Sequence, residues 1–163
     1  MTRRTLSEQW SIDLDDSFSG SVVDGDLQLV SPGPPPRTIW LAIWYPGAEH
    51  GPEKLMEWVK AEVNPKPVAR FEEIGTDAGE LRYASWYPED VPEEAGRRQW
   101  ALYGYVVRRG SYVQAAFFSD SESDQAWALE TWRSLRFRPA ASSGPAAPAA
   151  SPGPAGPESA GRG

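Results

Sequence analysis

The chain has 163 residues, 40% of them apolar, enough for one respectable core and too few to argue for a second. Its formal charge is −7, and residues 5 to 138 carry 13 basic against 22 acidic side chains, a balance of −9 that repels nucleic-acid phosphates and anionic lipid. The absence of cysteine excludes disulfides, thiolate catalysis and Cys-ligated metal centres, and no apolar run approaches the roughly 20 residues that span a bilayer.

Residues 1 to 8 read as a short N-terminal arm. Arg3 and Arg4 are followed by Gln9-Trp10-Ser11-Ile12-Asp13 rather than an apolar stretch, so no signal peptide is expected and a cytoplasmic location is the default. Trp10 to Leu14 alternates apolar and polar residues, the mark of a strand with one wet face. Val22-Val23 and Leu27 to Val30 flank Asp24-Gly25-Asp26, a hairpin-turn signal. After a Pro-Gly loop, Thr38 to Tyr45 is apolar almost throughout, which predicts a central strand covered on both faces.

Pro52 to Val63 has helical spacing, with Pro52 in the first turn and Leu55, Met56, Val59 and Val63 on one side; Asn64-Pro65 stops it. Strands follow at Ala69 to Ile74 and Leu81 to Tyr87, separated by Gly75-Thr76-Asp77-Ala78-Gly79, and then an acidic loop from Pro88 to Arg97. Gln99 to Val107 and Tyr112 to Phe118 form a hairpin whose Arg109-Gly110 turn supplies the residue that tolerates positive φ. The last helix spans Ser121 to Leu135, with Asp120 or Ser121 as N-cap, Asp124 in a capping-box position, and Ala128, Leu129, Trp132 and Leu135 in one sector. From Pro139 to Gly163 the chain is Pro, Ala, Gly and Ser-rich without a branched aliphatic or aromatic residue, the composition of a disordered tail.

Short connections between most strands and only two helices define an α+β fold: one domain over residues 9 to 138, an α/β/α sandwich with a mainly antiparallel sheet between two helices on opposite faces. The chain resembles the PsbP-like (Mog/PsbP-like) superfamily. The features that carry this are the opening Trp10-x-Ile12-x-Leu14 strand, the Val23-Asp24-Gly25-Asp26-Leu27 hairpin, the mid-chain helix, and the closing strand-turn-strand-helix ending in Trp132-Arg133-Ser134-Leu135-Arg136-Phe137. The resemblance implies the sandwich fold of a small bacterial member; the family's proteins are mostly binding or assembly factors with no shared active site, so it implies no catalytic residue.

Chemistry-bearing residues are sparse. His50, the single histidine, lies in a Pro-flanked loop with no Gly-x-Ser-x-Gly elbow elsewhere, which argues for a solvated side chain. Asp13, Asp15, Asp16, Asp24 and Asp26 offer oxygen ligands, but their spacing is not that of a calcium loop, and turn-forming aspartates are the plainer reading. Glu72, Glu73, Glu80, Glu89, Asp90, Glu93 and Glu94 contain enough carboxylates for glycoside hydrolysis without any sign that two face each other. No catalytic, metal or cofactor residue is assigned, and no cofactor is expected.

The 8 Trp, 6 Tyr and 5 Phe are the informative set. Trp40 and Trp44 share one strand face, with Trp86, Tyr87, Trp100, Tyr103 and Tyr105 on neighbouring segments; most are expected in the core, and Trp86, Tyr87 or Trp127 at a rim. The expected function is a non-enzymatic binding or adaptor module that engages a protein partner through an aromatic, acidic surface, as a secretion-associated chaperone or immunity-type factor would. A small-ligand or carbohydrate-binding module lined by Trp40, Trp44 or Trp86 is the alternative, and a carboxylate hydrolase the third. Neither nucleic acid nor membrane is an expected partner, and the oligomeric state is not readable.

Overall fold

A computed structural model describes residues 1–75 and 79–139. Thr76 to Ala78 of the expected turn, and the expected tail beyond Pro139, lie outside the described residues. Seven strands form one antiparallel sheet: β3 (Ser19–Val23), β4 (Asp26–Ser31), β5 (Arg37–Trp44), β6 (Ala69–Ile74), β7 (Leu81–Asp90), β8 (Arg98–Arg108) and β9 (Ser111–Ser119), in the spatial order β3-β4-β5-β9-β8-β7-β6. Helix α1 (Pro52–Glu62) lies against β7 and β8 on one face, and helix α2 (Gln125–Arg133) packs against β8 on the other. The protein is therefore an α+β sandwich, as its element order implies. Among the described residues, no helix is long and apolar enough to cross a membrane.

The β3–β4 hairpin turns through Asp24 and Gly25 with φ of 51° and 89°, the paired positive values of a tight hairpin that suits the strand twist. Gly110, at φ 75°, does the same work between β8 and β9.

Most of the core sits on the α2 face. There Leu29, Ile39, Leu41, Ala84, Trp86, Leu102, Val106, Val113, Ala115 and Phe117 from alternate strand positions meet Ala128, Leu129 and Trp132 of α2. The same face carries an element absent from the expected meander. Strand β2 (Trp10–Leu14) belongs not to the large sheet but to a small one with β1 (Thr2–Thr5) and β10 (Arg136–Phe137), in the order β1-β2-β10. Trp10, Ile12 and Leu14 join the α2-side core, so their backbone groups must be satisfied by strands lying in the same layer.

The expected N-terminal arm is thus partly a strand. Thr2-Arg3-Arg4-Thr5 has no apolar alternation because it is an exposed edge; backbone pairing with β2 fixes it, together with Arg3 on Asp13 at 2.8 Å and Arg4 donating to the Asp15 and Phe18 carbonyls. The last helix also differs from expectation. Glu122–Asp124 is a single 3₁₀ turn, no side chain caps it or α2, and the Asp124 carboxylate instead accepts from Arg37 and Ser119. An ion pair across to β5 outcompeted the local cap.

On the α1 face, Leu55, Met56 and Val59 cover Tyr83, Tyr105 and Val107. This helix does not extend across the sheet. The expectation that Thr38 to Tyr45 is covered on both faces is therefore corrected: Ile39 and Leu41 are buried towards α2, but Trp40 and Ala42 are only half-covered and Trp44 is 49% exposed. One helix of eleven residues is too short and too far to one side to roof seven strands.

Candidate functional site

The uncovered half of the α1 face is built from alternate residues of β4, β5, β9, β8 and β7. Strand β5 contributes Trp40, Ala42 and Trp44, which stand opposite Ala116, Gln114 and Tyr112 of β9. Gln28 of β4 lies opposite Trp40, and Asp26 begins the same strand. Between the two indoles is a hollow of about 120 Å³ lined by Asp26, Trp40, Leu41, Ala42, Trp44, Gln114 and Ala116. Alanines at 42 and 116 make the floor low, so Trp40 and Trp44, four residues and about 13 Å apart along the strand, form walls.

Beyond the slot the aromatic surface continues. The Trp44 ring stacks on Tyr112, centroids 6.2 Å apart. Phe118 meets Tyr103 edge-on at 5.9 Å, and Tyr103 stacks on Tyr87 at 5.4 Å. Tyr103 donates its hydroxyl to the Glu89 carboxylate at 2.8 and 3.0 Å, and Gln99 donates to the same carboxylate at 3.0 Å.

Burial pushes the Tyr103 hydroxyl far above the ordinary phenol range, and the hydrogen bond and charge of Glu89 push it further. Tyr105 is pushed up to about 12, first by burial and then by the neighbouring tyrosines; burial raises Tyr87 and Tyr112 as well. At neutral pH these phenols are neutral donors, and Glu89 already accepts from both Tyr103 and Gln99. The arrangement suits contact and hydrogen bonding better than proton transfer.

The three aromatics assigned to a rim by sequence do not come together. Trp86 is corrected outright: it is 1% exposed on the α2 face, stacked on Trp100 at 5.4 Å, and serves as core. Its position in β7 has the parity of Ala84 and points away from the open surface. Trp127 is half-buried on that same α2 face, stacked on Phe18 at 6.2 Å, with the Arg37 guanidinium 4.6 Å from its ring centre. Tyr87 alone lies on the open face, half-buried beside Tyr103.

The other candidates are dispersed. His50 is half-buried, its ring 4.8 Å from Trp58 and its Nε2 3.5 Å from a Glu49 oxygen. Asp13 pairs with Arg3, Asp15 accepts from Ser17, and Asp16 accepts from Thr2 at 3.0 Å, while Asp24 and Asp26 sit at the β3–β4 hairpin. Among the described residues no three His, Asp or Glu side chains gather as metal ligands would. Of the glutamates weighed for hydrolysis, Glu72 pairs with Lys60, Glu73 with Arg133, Glu80 with Arg82 and Glu94 with Arg97, each in a different place.

Missed by sequence reasoning were Tyr112, Phe118, Gln114 and Asp26 as neighbours of the Trp40–Trp44 pair. A signal existed: Gln114 and Gln28 interrupt otherwise apolar strands at positions that register beside Trp40 and Ala42, and polar residues there mark a wet face.

Together these features define an α+β sandwich with one roofed and one half-open sheet face, the open half aromatic. No protein-family profile matches the chain, and no curated protein does. Among solved structures, a crystal structure of a protein from Bacteroides thetaiotaomicron VPI-5482, at 1.50 Å resolution, superimposes with a TM-score of 0.58 at 13% identity. The match covers 80% of this chain and 45% of that one, so the chain spans less than half of its neighbour's length. At that identity the likeness is one of fold.

Proposed function

We propose that this protein is a non-enzymatic, cytoplasmic binding module that engages a protein partner across the open aromatic half of its large sheet. One observation carries the reading: Trp40, Trp44, Tyr112, Phe118, Tyr103 and Tyr87 share one incompletely covered sheet face on rigid strands, with Trp44 stacked on Tyr112 and Tyr103 in contact with both Phe118 and Tyr87. Trp and Tyr are the residues enriched at interface hot spots, and contiguous exposed apolar surface on a folded domain marks an interaction site. The PsbP-like resemblance, whose members are mostly binding or assembly factors, supports the same reading.

The carbohydrate or small-ligand alternative retains Trp40 and Trp44 as its lining and loses Trp86. Its hollow of about 120 Å³ is well below the roughly 300 to 1,000 Å³ of pockets that enclose a small molecule. A side chain of a larger partner fits such a slot better than a whole ligand does.

The test is a photo-cross-linking amino acid placed at Trp44, with Glu130 on the exposed side of α2 as control. The expected result is a discrete adduct from position 44 that disappears when Phe118→Ala is added, and none from position 130. Equal adducts from both positions, or none from position 44, would overturn the reading.

A further inference from the structure

We infer that the partner presents a basic segment and lays one arginine or lysine side chain into the slot between Trp40 and Trp44. The inference rests on the protein-binding reading above and specifies the chemistry of its contact. Two indole walls are half of the argument, because an aromatic face attracts a cation through its quadrupole and Trp does so best.

Charge supplies the other half. Of the side chains that β3, β4, β5, β7, β8 and β9 direct to this face by their alternation, the charged ones are Asp26 and Glu89, both carboxylates. Glu89 is occupied by Tyr103 and Gln99. Asp26 lines the slot and is exposed, and its carboxylate takes part in no hydrogen bond or ion pair among the described residues. No lining residue of the slot is basic. Arg70 of β6 shares the face but lies at its far edge beside α1, so the charges nearest the slot are negative, which is complementary to a cationic partner and repels phosphate.

The molecule contains a worked instance of this chemistry on its other face. The Arg37 guanidinium sits 4.6 Å from the Trp127 ring centre while Asp124 accepts from its Nε at 3.2 Å and Nη2 at 2.8 Å. Trp44, Trp40 and Asp26 offer the same pairing of indole and carboxylate to a guanidinium from outside. Gln114, with a carbonyl oxygen and an amide nitrogen, adds an acceptor for the remaining N–H groups. A neutral sugar would gain the stacking and a hydrogen bond to Asp26 but would leave the carboxylate charge uncompensated.

The test titrates the full chain with acetyl-Gly-Arg-Gly-amide and with the isosteric, neutral citrulline peptide, reading the indole N–H signals of Trp40 and Trp44 by two-dimensional NMR. Both signals are expected to move with the arginine peptide and to stay with the citrulline peptide. Asp26→Asn is expected to weaken binding about threefold and Trp44→Ala about tenfold. Trp44→Ala keeps the net charge, so wild-type affinity in that variant would mean diffuse attraction and overturn the proposal. So would equal shifts with citrulline, no shift with arginine, or shifts produced by maltotriose instead. A cross-link at position 44 that survives Asp26→Asn alongside a silent arginine titration would sink the cationic contact and leave protein binding standing. Arginine binding without any cross-linked partner would do the reverse.

Discussion

At the scale of single residues, one buried and one half-buried ion pair link elements distant in the chain. Glu80 is 1% and Arg82 5% exposed; Arg82 donates to Glu80 at 2.8 Å and to the Trp132, Arg133 and Leu135 carbonyls at 3.3, 3.2 and 2.7 Å. One guanidinium thus satisfies the carbonyls left over at the end of α2. Arg82→Met is expected to lose about 3 to 5 kcal/mol in urea unfolding, because Glu80 is then a buried charge without a partner; adding Glu80→Gln should recover part of it. If the double variant is no more stable than the single one, the stranded charge is not the cause. Asp124 behaves differently with pH. The hydrogen bonds from Arg37 hold its carboxyl below the ordinary 3.8, against a smaller opposing effect of burial. A depressed folded-state value means the stabilisation is complete above the unfolded value and is lost as pH falls through the folded one. Asp124→Asn is therefore expected to lose roughly 1 to 2 kcal/mol at pH 7 and progressively less below pH 4. A deficit that is constant from pH 7 to pH 3 would refute the linkage.

At the scale of elements, the position of α2 depends on a missing side chain. Gly104 of β8 faces Trp132, and a Cβ built there would stand 2.5 Å from the indole Cδ1 and 2.7 Å from Nε1. The strand must be bare at that point for the fully buried Trp132 to lie flat on the sheet, which sets how near the helix comes. Gly104→Ala is expected to destabilise by about 1 to 3 kcal/mol through overpacking, in spite of the better strand propensity of alanine. The check is a double-mutant cycle: in a Trp132→Leu background the penalty of Gly104→Ala should vanish, and an unchanged penalty would place the strain elsewhere. Helix α1 makes a different kind of contact, setting Leu55, Met56 and Val59 on Tyr83, Tyr105 and Val107, where the ring bodies supply the apolar surface.

At the scale of the whole molecule the two faces of one sheet are covered differently, and the sequence disclosed this unevenly. The hairpins were legible because Asp24-Gly25 and Arg109-Gly110 need conformations few residues adopt, and both helices were legible from their spacing. The β1-β2-β10 sheet was not, since Thr2–Thr5 carries no apolar pattern and Arg136–Phe137 is too short to have one. The open face was hidden for another reason: Thr38 to Trp44 is apolar on both sides, and hydropathy does not distinguish an indole that is roofed from one left half in water. Trp86 was misplaced by the same blindness, in the opposite direction. Stability measurements separate the two roles. Trp86 is sealed against Trp100 in the α2-side core, so Trp86→Ala leaves a cavity and is expected to lose about 3 to 5 kcal/mol. Trp44 is half in water and stacks on Tyr112, so Trp44→Ser is expected to lose only about 1 to 2 kcal/mol and to leave the steepness of urea unfolding unchanged. A smaller loss at Trp44 than at Trp86 is what the proposed binding surface requires. Should Trp44→Ser prove as destabilising as Trp86→Ala, the open face would be core after all, and the case for a binding surface would fall with it.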